Sequence, residues 1–177
     1  MKYNKIKSEL FVKNRKSFMK NMVGKSIAFF NSNDIYPISA DSTLAFEQHR
    51  DIFYLSGVDQ EESILVLCPN AIDEKHREIL FLKETNEHIA VWEGPKLTKQ
   101  QAFETSGVRT VYWLKDSDKI IAELVDQCDT IYYNHNEHYR AKVETETREE
   151  RFNKWLKKTY PHKKAERSNP ILQRLRS

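Results

Sequence analysis

Residues 46–57, FEQHRDIFYLSG, place a carboxylate, an imidazole, a guanidinium and a second carboxylate within five positions: Glu47, His49, Arg50 and Asp51. Phe53, Tyr54 and Leu55 follow, and Gly57 ends the run. Two readings suit such a set. It is a catalytic or metal site, or a loop that docks polar groups against a surface outside the chain. A second candidate is NHNEHYR, where His135 and His138 stand three apart around Glu137 and could share a divalent ion on a helix. No third and fourth ligand of matching pattern accompany them, and HExxH is absent. A polar loop after a strand is the simpler account. GxSxG, GxGxxG and GxxxxGK[ST] are missing too, so neither a serine nucleophile nor a glycine-rich phosphate cradle is offered. The adjacent carboxylates Glu61–Glu62 and Glu149–Glu150 read as surface charge. The residues alone define no self-sufficient active site.

Bulk properties narrow the class. The 177 residues suit one domain, or one domain with an appendage. At 39% hydrophobic and 31% charged the chain can bury a core. Four glycines and five prolines argue against long flexible linkers. No apolar run approaches the roughly 20 residues that span a bilayer, and MKYNKIKSELF lacks the apolar stretch of a signal peptide. A soluble, cytoplasmic protein is expected. Cys68 and Cys128 have no CxxC or Cys/His spacing, so reduced, buried thiols not bonded to each other are expected. The first 25 residues carry eight Lys or Arg against Glu9 alone, and residues 138–177 carry twelve against five acids. The middle is acidic. These basic residues fall mainly on two amphipathic terminal helices, as solvated faces, so neither a nucleic-acid nor a membrane partner is expected.

The elements follow from periodicity and caps. Residues 5–22 read as a helix with Ile6, Leu10, Phe11, Phe18 and Met22 near one stripe, closed by Gly24. SIAFF (26–30) reads as a strand, and NSNDIYPISADST as a loop. SILVLCP (63–69) and REILFLK (77–83) are near-continuous apolar runs, as in strands covered on both faces, joined closely enough for an antiparallel pair. Thr98 caps a helix that stops at Gly107; RTVYWL (109–114) is a strand. A helix begins at Asp116 or Ser117, with Ile120, Ile121, Leu124 and Val125 on one face, and TIYYN (130–134) is another strand. A last helix starts at a capping box formed by Thr147 and Glu150, buries Phe152, Trp155 and Leu156, and ends before Pro161. The alternation gives an α/β fold with helices packed on a mixed sheet. Residues 161–177 show no packed pattern beyond PILQRL, and LQRLRS reads as the start of a further helix.

FEQHRDIFYLSGVDQEESILVL resembles the segment FRQ-x-x-x-F-x-YL-[TS]-G plus apolar strand of the Xaa-Pro aminopeptidases, the aminopeptidase P family. REILFLKETNEHIAVWEGPKLT resembles that family's strand, acidic loop and W-x-G-x-x-L; SGVRTVYWL its next strand; NPILQRLRS its hinge. The resemblance covers the chain in order. It implies a mixed sheet of about six strands flanked by helices, the ribonuclease H-like fold of a creatinase/aminopeptidase P N-terminal domain. Residues 1–160 would form that domain and 161–177 the hinge. The family's chemistry lies in a following pita-bread domain, where two Asp, one His and two Glu hold two divalent metals, usually manganese, that activate a water. No catalytic or metal residue is then expected in this chain. Its role would be to orient the catalytic domain, shape access to the cleft for the peptide substrate, and build a homo-dimer or larger homo-oligomer. The alternative is a non-catalytic peptide- or protein-binding module, as among pita-bread relatives that serve as histone chaperones. A nuclease does not fit, because strands 63–69, 77–83 and 109–114 carry almost no carboxylates.

The resemblance also nominates residues. Trp92 matches the tryptophan of W-x-G, which in several relatives reaches toward a neighbouring subunit's cleft. Glu47 stands where FRQ has arginine, and His49-Arg50 where asparagine-serine is common, so the basic group has moved three places along. Phe46, Phe53, Tyr54 and Leu55 are expected to anchor a strand end that displays Glu47–Asp51 toward the catalytic domain or another subunit. The expected contact residues are Trp92, His49, Arg50 and Tyr54.

Overall fold

The computed structural model describes residues 6–142 and 144–177, apart from the side chains of Glu87, Trp92 and Glu93. In chain order it contains α1 (Ser8–Lys20), β1 (Ser26–Asn31), β2 (Pro37–Ser39), β3 (Ser42–Thr43), α2 (Arg50–Ser56), β4 (Ile64–Leu67) and β5 (Glu78–Leu82). There follow α3 (Glu87–Glu93), α4 (Lys99–Ser106), β6 (Thr110–Trp113), α5 (Ser117–Asp126), β7 (Thr130–Tyr133), α6 (Arg148–Thr159), β8 (Lys164–Arg167) and α7 (Asn169–Arg176). Of the helix expected over 5–22, Lys5 lies outside the described residues.

Six strands form one mixed sheet in the order β6-β5-β4-β1-β7-β8. β4 runs antiparallel to both neighbours; the other pairings are parallel. Every residue of β1, β4 and β7 is buried, the pattern of central strands covered on both faces. Successive side chains alternate between two cores. Ala28, Phe30, Leu65, Leu67, Leu80 and Leu82 join Phe18, Ile52, Leu55, Ala102 and Ile171 from α1, α2, α4 and α7. Ile27, Phe29, Ile64, Val66, Ile79 and Phe81 join Ile121, Leu124, Val125 and Leu156 from α5 and α6 on the other face.

The first core is organised by a repeated device. Helices α2 and α4 both end in Ser-Gly-Val, with Gly57 and Gly107 in the left-handed region at φ 68° and 73°. Ser56 and Ser106 each donate back to the carbonyl four residues earlier, and accept from the backbone N–H of Val58 and Val108. Helix α1 lies across both glycines. A Cβ on Gly57 would meet the Phe11 ring at 2.3 Å, and one on Gly107 would meet Val12 Cγ2 at 2.5 Å. Between them Arg15, fully buried, donates from one terminal nitrogen to the carbonyls of Leu55 (2.8 Å) and Ser106 (2.9 Å), and from Nε to Glu78 (2.9 Å). One guanidinium thus satisfies last-turn carbonyls of two helices at once.

Several expectations change. Residues 50–56 form a helix, not a strand end: Ile52 and Leu55 are buried at helical spacing, His49 caps the start and Gly57 closes it. The stretch read as a loop over 31–43 contains the exposed β2–β3 hairpin. The segment read as an acidic loop folds into α3, capped by Asn86 Oδ1 accepting from the Ile89 N–H. Trp155 is exposed, tilted against Phe152 and edge-on to Tyr160. Thr147 caps α6, but Glu150 reaches His135 and leaves the box half made. Residues 164–167, unmarked in the sequence, pair in parallel with β7 as an edge strand whose four residues are exposed. The charges of Lys164, Glu166 and Arg167 discourage further pairing there.

Candidate functional site

At the carboxyl ends of β1 and β7 two fully buried asparagines come together: Asn31, the last residue of β1, and Asn134, just past β7. The first turn of α6 brings Glu149 against both. Its Oε2 accepts from the Asn31 backbone N–H at 3.1 Å, its Oε1 from Asn31 Nδ2 at 2.9 Å. Asn134 Nδ2 lies 3.4 Å from Glu149 Oε2 and donates at 2.8 Å to Asp51 Oδ2 in α2. Asp51 Oδ1 meets the Arg176 guanidinium of α7 at 2.7 Å. Asn153 fixes the arrangement by donating to the Asn134 carbonyl at 2.7 Å. A polar chain thus runs from the sheet through Glu149, Asn134 and Asp51 to the last turn of the terminal helix.

Its electrostatics follow from burial. The Glu149 carboxyl is pushed up to about 8, chiefly by desolvation and slightly by Asp51, against the hydrogen bonds from Asn31 and Asn134. Glu149 is therefore mostly neutral at pH 7, which corrects its reading as surface charge. Glu61 is corrected likewise: it is buried and paired with Lys96. Burial also lowers the His49 imidazole, opposed by Asp51 and reinforced by Arg176.

The sequence-nominated residues occupy the same end of the sheet. His49 Nδ1 accepts from the Asp51 N–H at 3.3 Å as the α2 cap. Tyr54 donates its hydroxyl to the Leu175 carbonyl at 3.1 Å, and its ring carries the Arg176 guanidinium 4.6 Å from the centroid. His49 and Tyr54 are thus joined to α7 through Asp51 and Arg176. Arg50 begins α2 and is exposed. Trp92 lies in α3, past the carboxyl end of β5; its side chain is outside the described residues. The segment after α3 is held beside β4 by the Lys96–Glu61 pair and by Leu97 N–H donating to Gln60 Oε1 at 2.8 Å.

The cluster ties α2, α6 and α7 to the sheet. Asp51 is committed to Arg176 and Asn134, and Glu149 is buried against Asn31 and Asn134. Of the histidine pair, His135 Nδ1 contacts Glu150 at 2.8 Å, while His138 stacks on Tyr139 and Glu137 pairs with Arg167. Among the described residues no group of three or more His, Cys, Asp or Glu could hold a metal ion. Asn31, Asn134, Glu149 and Arg176 were not singled out from the sequence as contact residues. One signal was present: Glu149, Asn153 and Leu156 share the buried stripe of α6 at spacings of four and three.

The fold and this cluster define a mixed α/β domain built to hold helices in place. The family model described as "Aminopeptidase P, N-terminal domain" matches residues 11–132, and the chain belongs to that family. It is 24% identical over 140 residues to the Xaa-Pro aminopeptidase of Escherichia coli K12, covering 79% of this chain and 32% of that protein. It is 28% identical over 105 residues to human Xaa-Pro aminopeptidase 3, covering 58% of this chain and 21% of that protein. Among solved structures, one assigned to aminopeptidase P from Bacillus anthracis superposes with a TM-score of 0.83 at 23% identity, over 97% of this chain and 40% of that one. Pseudomonas aeruginosa aminopeptidase PepP gives 0.73 at 20% identity, over 93% and 36%. The chain spans between a fifth and a third of the length of these two curated relatives. No helix among the described residues is long and apolar enough to cross a membrane.

Proposed function

We propose that this chain serves as the non-catalytic amino-terminal domain of a Xaa-Pro aminopeptidase, orienting a catalytic domain, narrowing access to its cleft and joining subunits into a homo-oligomer. One observation carries the orienting role. Helix α7 is fixed to the sheet by buried Ile171 and Leu172 and by Arg176 on Asp51 and Tyr54. A polypeptide continuing from it, with residues 161–177 as the connection, departs in a set direction. The two divalent ions, manganese in this proposal, belong to that following domain. The enzyme works in the cytoplasm on peptides with proline in second position. His49, Arg50 and Tyr54 face the catalytic domain or a neighbouring subunit, and Trp92 reaches substrate across the boundary.

The expected result for the isolated chain is no hydrolysis of a Xaa-Pro peptide, with or without added manganese. Turnover that survives chelator controls and re-purification overturns the proposal. Trp92→Ala, made in the longer enzyme, is expected to weaken catalysis and leave the melting temperature of this domain unchanged. An indole packed in the core instead costs roughly 3–5 kcal/mol on truncation, and a large fall in melting temperature would make Trp92 structural.

A further inference from the structure

At the opposite, amino edge of the sheet the two cysteines meet. Cys68 follows β4 and Cys128 precedes β7, strands that flank β1 on its two sides. The register pairs Leu67 with Ala28 and Thr130 with Ser26, where β1 begins. Past that start the neighbouring chains close on each other. The two sulfurs, 60 residues apart in sequence, lie 3.5 Å from one another in the α5–α6 core. Both thiols are free and buried. We propose that Cys68 and Cys128 form a reversible intramolecular disulfide, a redox modification site that staples β4 to the start of β7.

The surroundings assign the roles. Hydrogen bonding from Cys68 lowers the Cys128 thiol, with nearby Lys163 and Lys25 assisting against burial, while the same contact and burial raise Cys68. Lys163 Nζ donates to the Cys128 carbonyl at 2.5 Å, which keeps its ammonium close. The Lys163 ammonium held at Cys128 favours a thiolate there, which makes Cys128 the attacking sulfur and Cys68 the resolving one. With a peroxide as oxidant, the Cys128 thiolate attacks one oxygen, the O–O bond breaks, and hydroxide leaves as water once protonated. Cys68 sulfur then attacks the sulfenic sulfur, and its proton departs with the hydroxyl as a second water. Two thiols are oxidised and one peroxide is reduced to two waters. Bond formation closes the sulfurs from 3.5 Å to the bonded distance of about 2.05 Å.

The test treats the reduced, folded chain with hydrogen peroxide, blocks remaining thiols in denaturant and reads the mass. The expected product has lost two hydrogen atoms, takes up no blocking reagent, and yields a linked peptide pair containing Cys68 and Cys128. Dithiothreitol reverses it, and Cys68→Ser and Cys128→Ser each abolish it. The oxidised form is expected to melt about 5–15 °C higher, because the bridge closes a long loop of the unfolded chain. Two outcomes overturn the proposal: both thiols blocked after peroxide that fully oxidises free glutathione, or over-oxidation of one cysteine without a link. Both readouts come from wild-type protein and are independent of peptidase activity.

Discussion

Arg15→Ala is expected to remove about 3–5 kcal/mol of folding stability, a large share of the roughly 5–15 kcal/mol that holds a domain folded. The guanidinium is wholly buried and anchors three elements: the last turns of α2 and α4 through Leu55 and Ser106, and β5 through Glu78. Alanine leaves Glu78 without its cation, and Leu55 and Ser106 lose their side-chain donor. Each buried carbonyl left unsatisfied costs about 1–3 kcal/mol. A side-chain cavity opens between α1 and the two glycine turns. Arg15→Lys keeps the charge but, as a point donor in place of a planar fork, recovers less than half of the loss. Urea denaturation followed by circular dichroism measures both. A loss under about 1 kcal/mol for the alanine variant would mean that water replaces the guanidinium at little cost.

That arginine was invisible in the sequence for a definite reason. Its neighbours Lys13, Lys16 and Lys20 are basic as well, and a charge among charges on a helix reads as part of the solvated face. Only the approach of two helix ends to α1 singles it out. By contrast, α4 was legible from Thr98 to Gly107, because both of its ends are set by local hydrogen bonds. The central strands were legible because Ile64–Leu67 and Ile79–Leu82 have no polar interruption. Helix α2 is hidden in the sequence because Ile52, Phe53 and Tyr54 favour strands in isolation. What decides for helix is the burial of Ile52 and Leu55 on one face, with Asp51 turned inward to Asn134, 83 residues away. β8 carries no apolar pattern at all, and pairing with β7 alone makes it a strand. The motif Glu47–Asp51 was the right place to look, but its chemistry is completed by Arg176 from the other end of the chain.

Glu149 gives the clearest pH signature. Its folded pKa of about 8 lies above the ordinary 4.5, so between these values the folded state holds a proton that the unfolded state releases. The stability it contributes is fully present below about 4.5 and is lost as pH rises through about 8, a fall on the order of 3–5 kcal/mol. His49 works in the opposite sense. Its folded pKa lies below 6.5, so its contribution is lost as pH falls through that range and partly masks the acid side of the wild-type curve. The loss with rising pH belongs to the buried Glu149 carboxyl. Glu149→Gln isolates it. The amide keeps an oxygen to accept from the Asn31 N–H, and a turn of the Asn31 amide brings its buried, otherwise unpartnered Oδ1 to accept from the new NH2 group. Stability by urea denaturation at a series of pH values is expected to fall for wild type between about pH 4.5 and 8, and to fall far less over that window for Glu149→Gln. The variant is expected to be the more stable protein at about pH 8 by at least 2 kcal/mol. Parallel curves for the two proteins would mean that Glu149 stays ionised in the folded state, held so by Asn31 and Asn134 and by the amino end of α6.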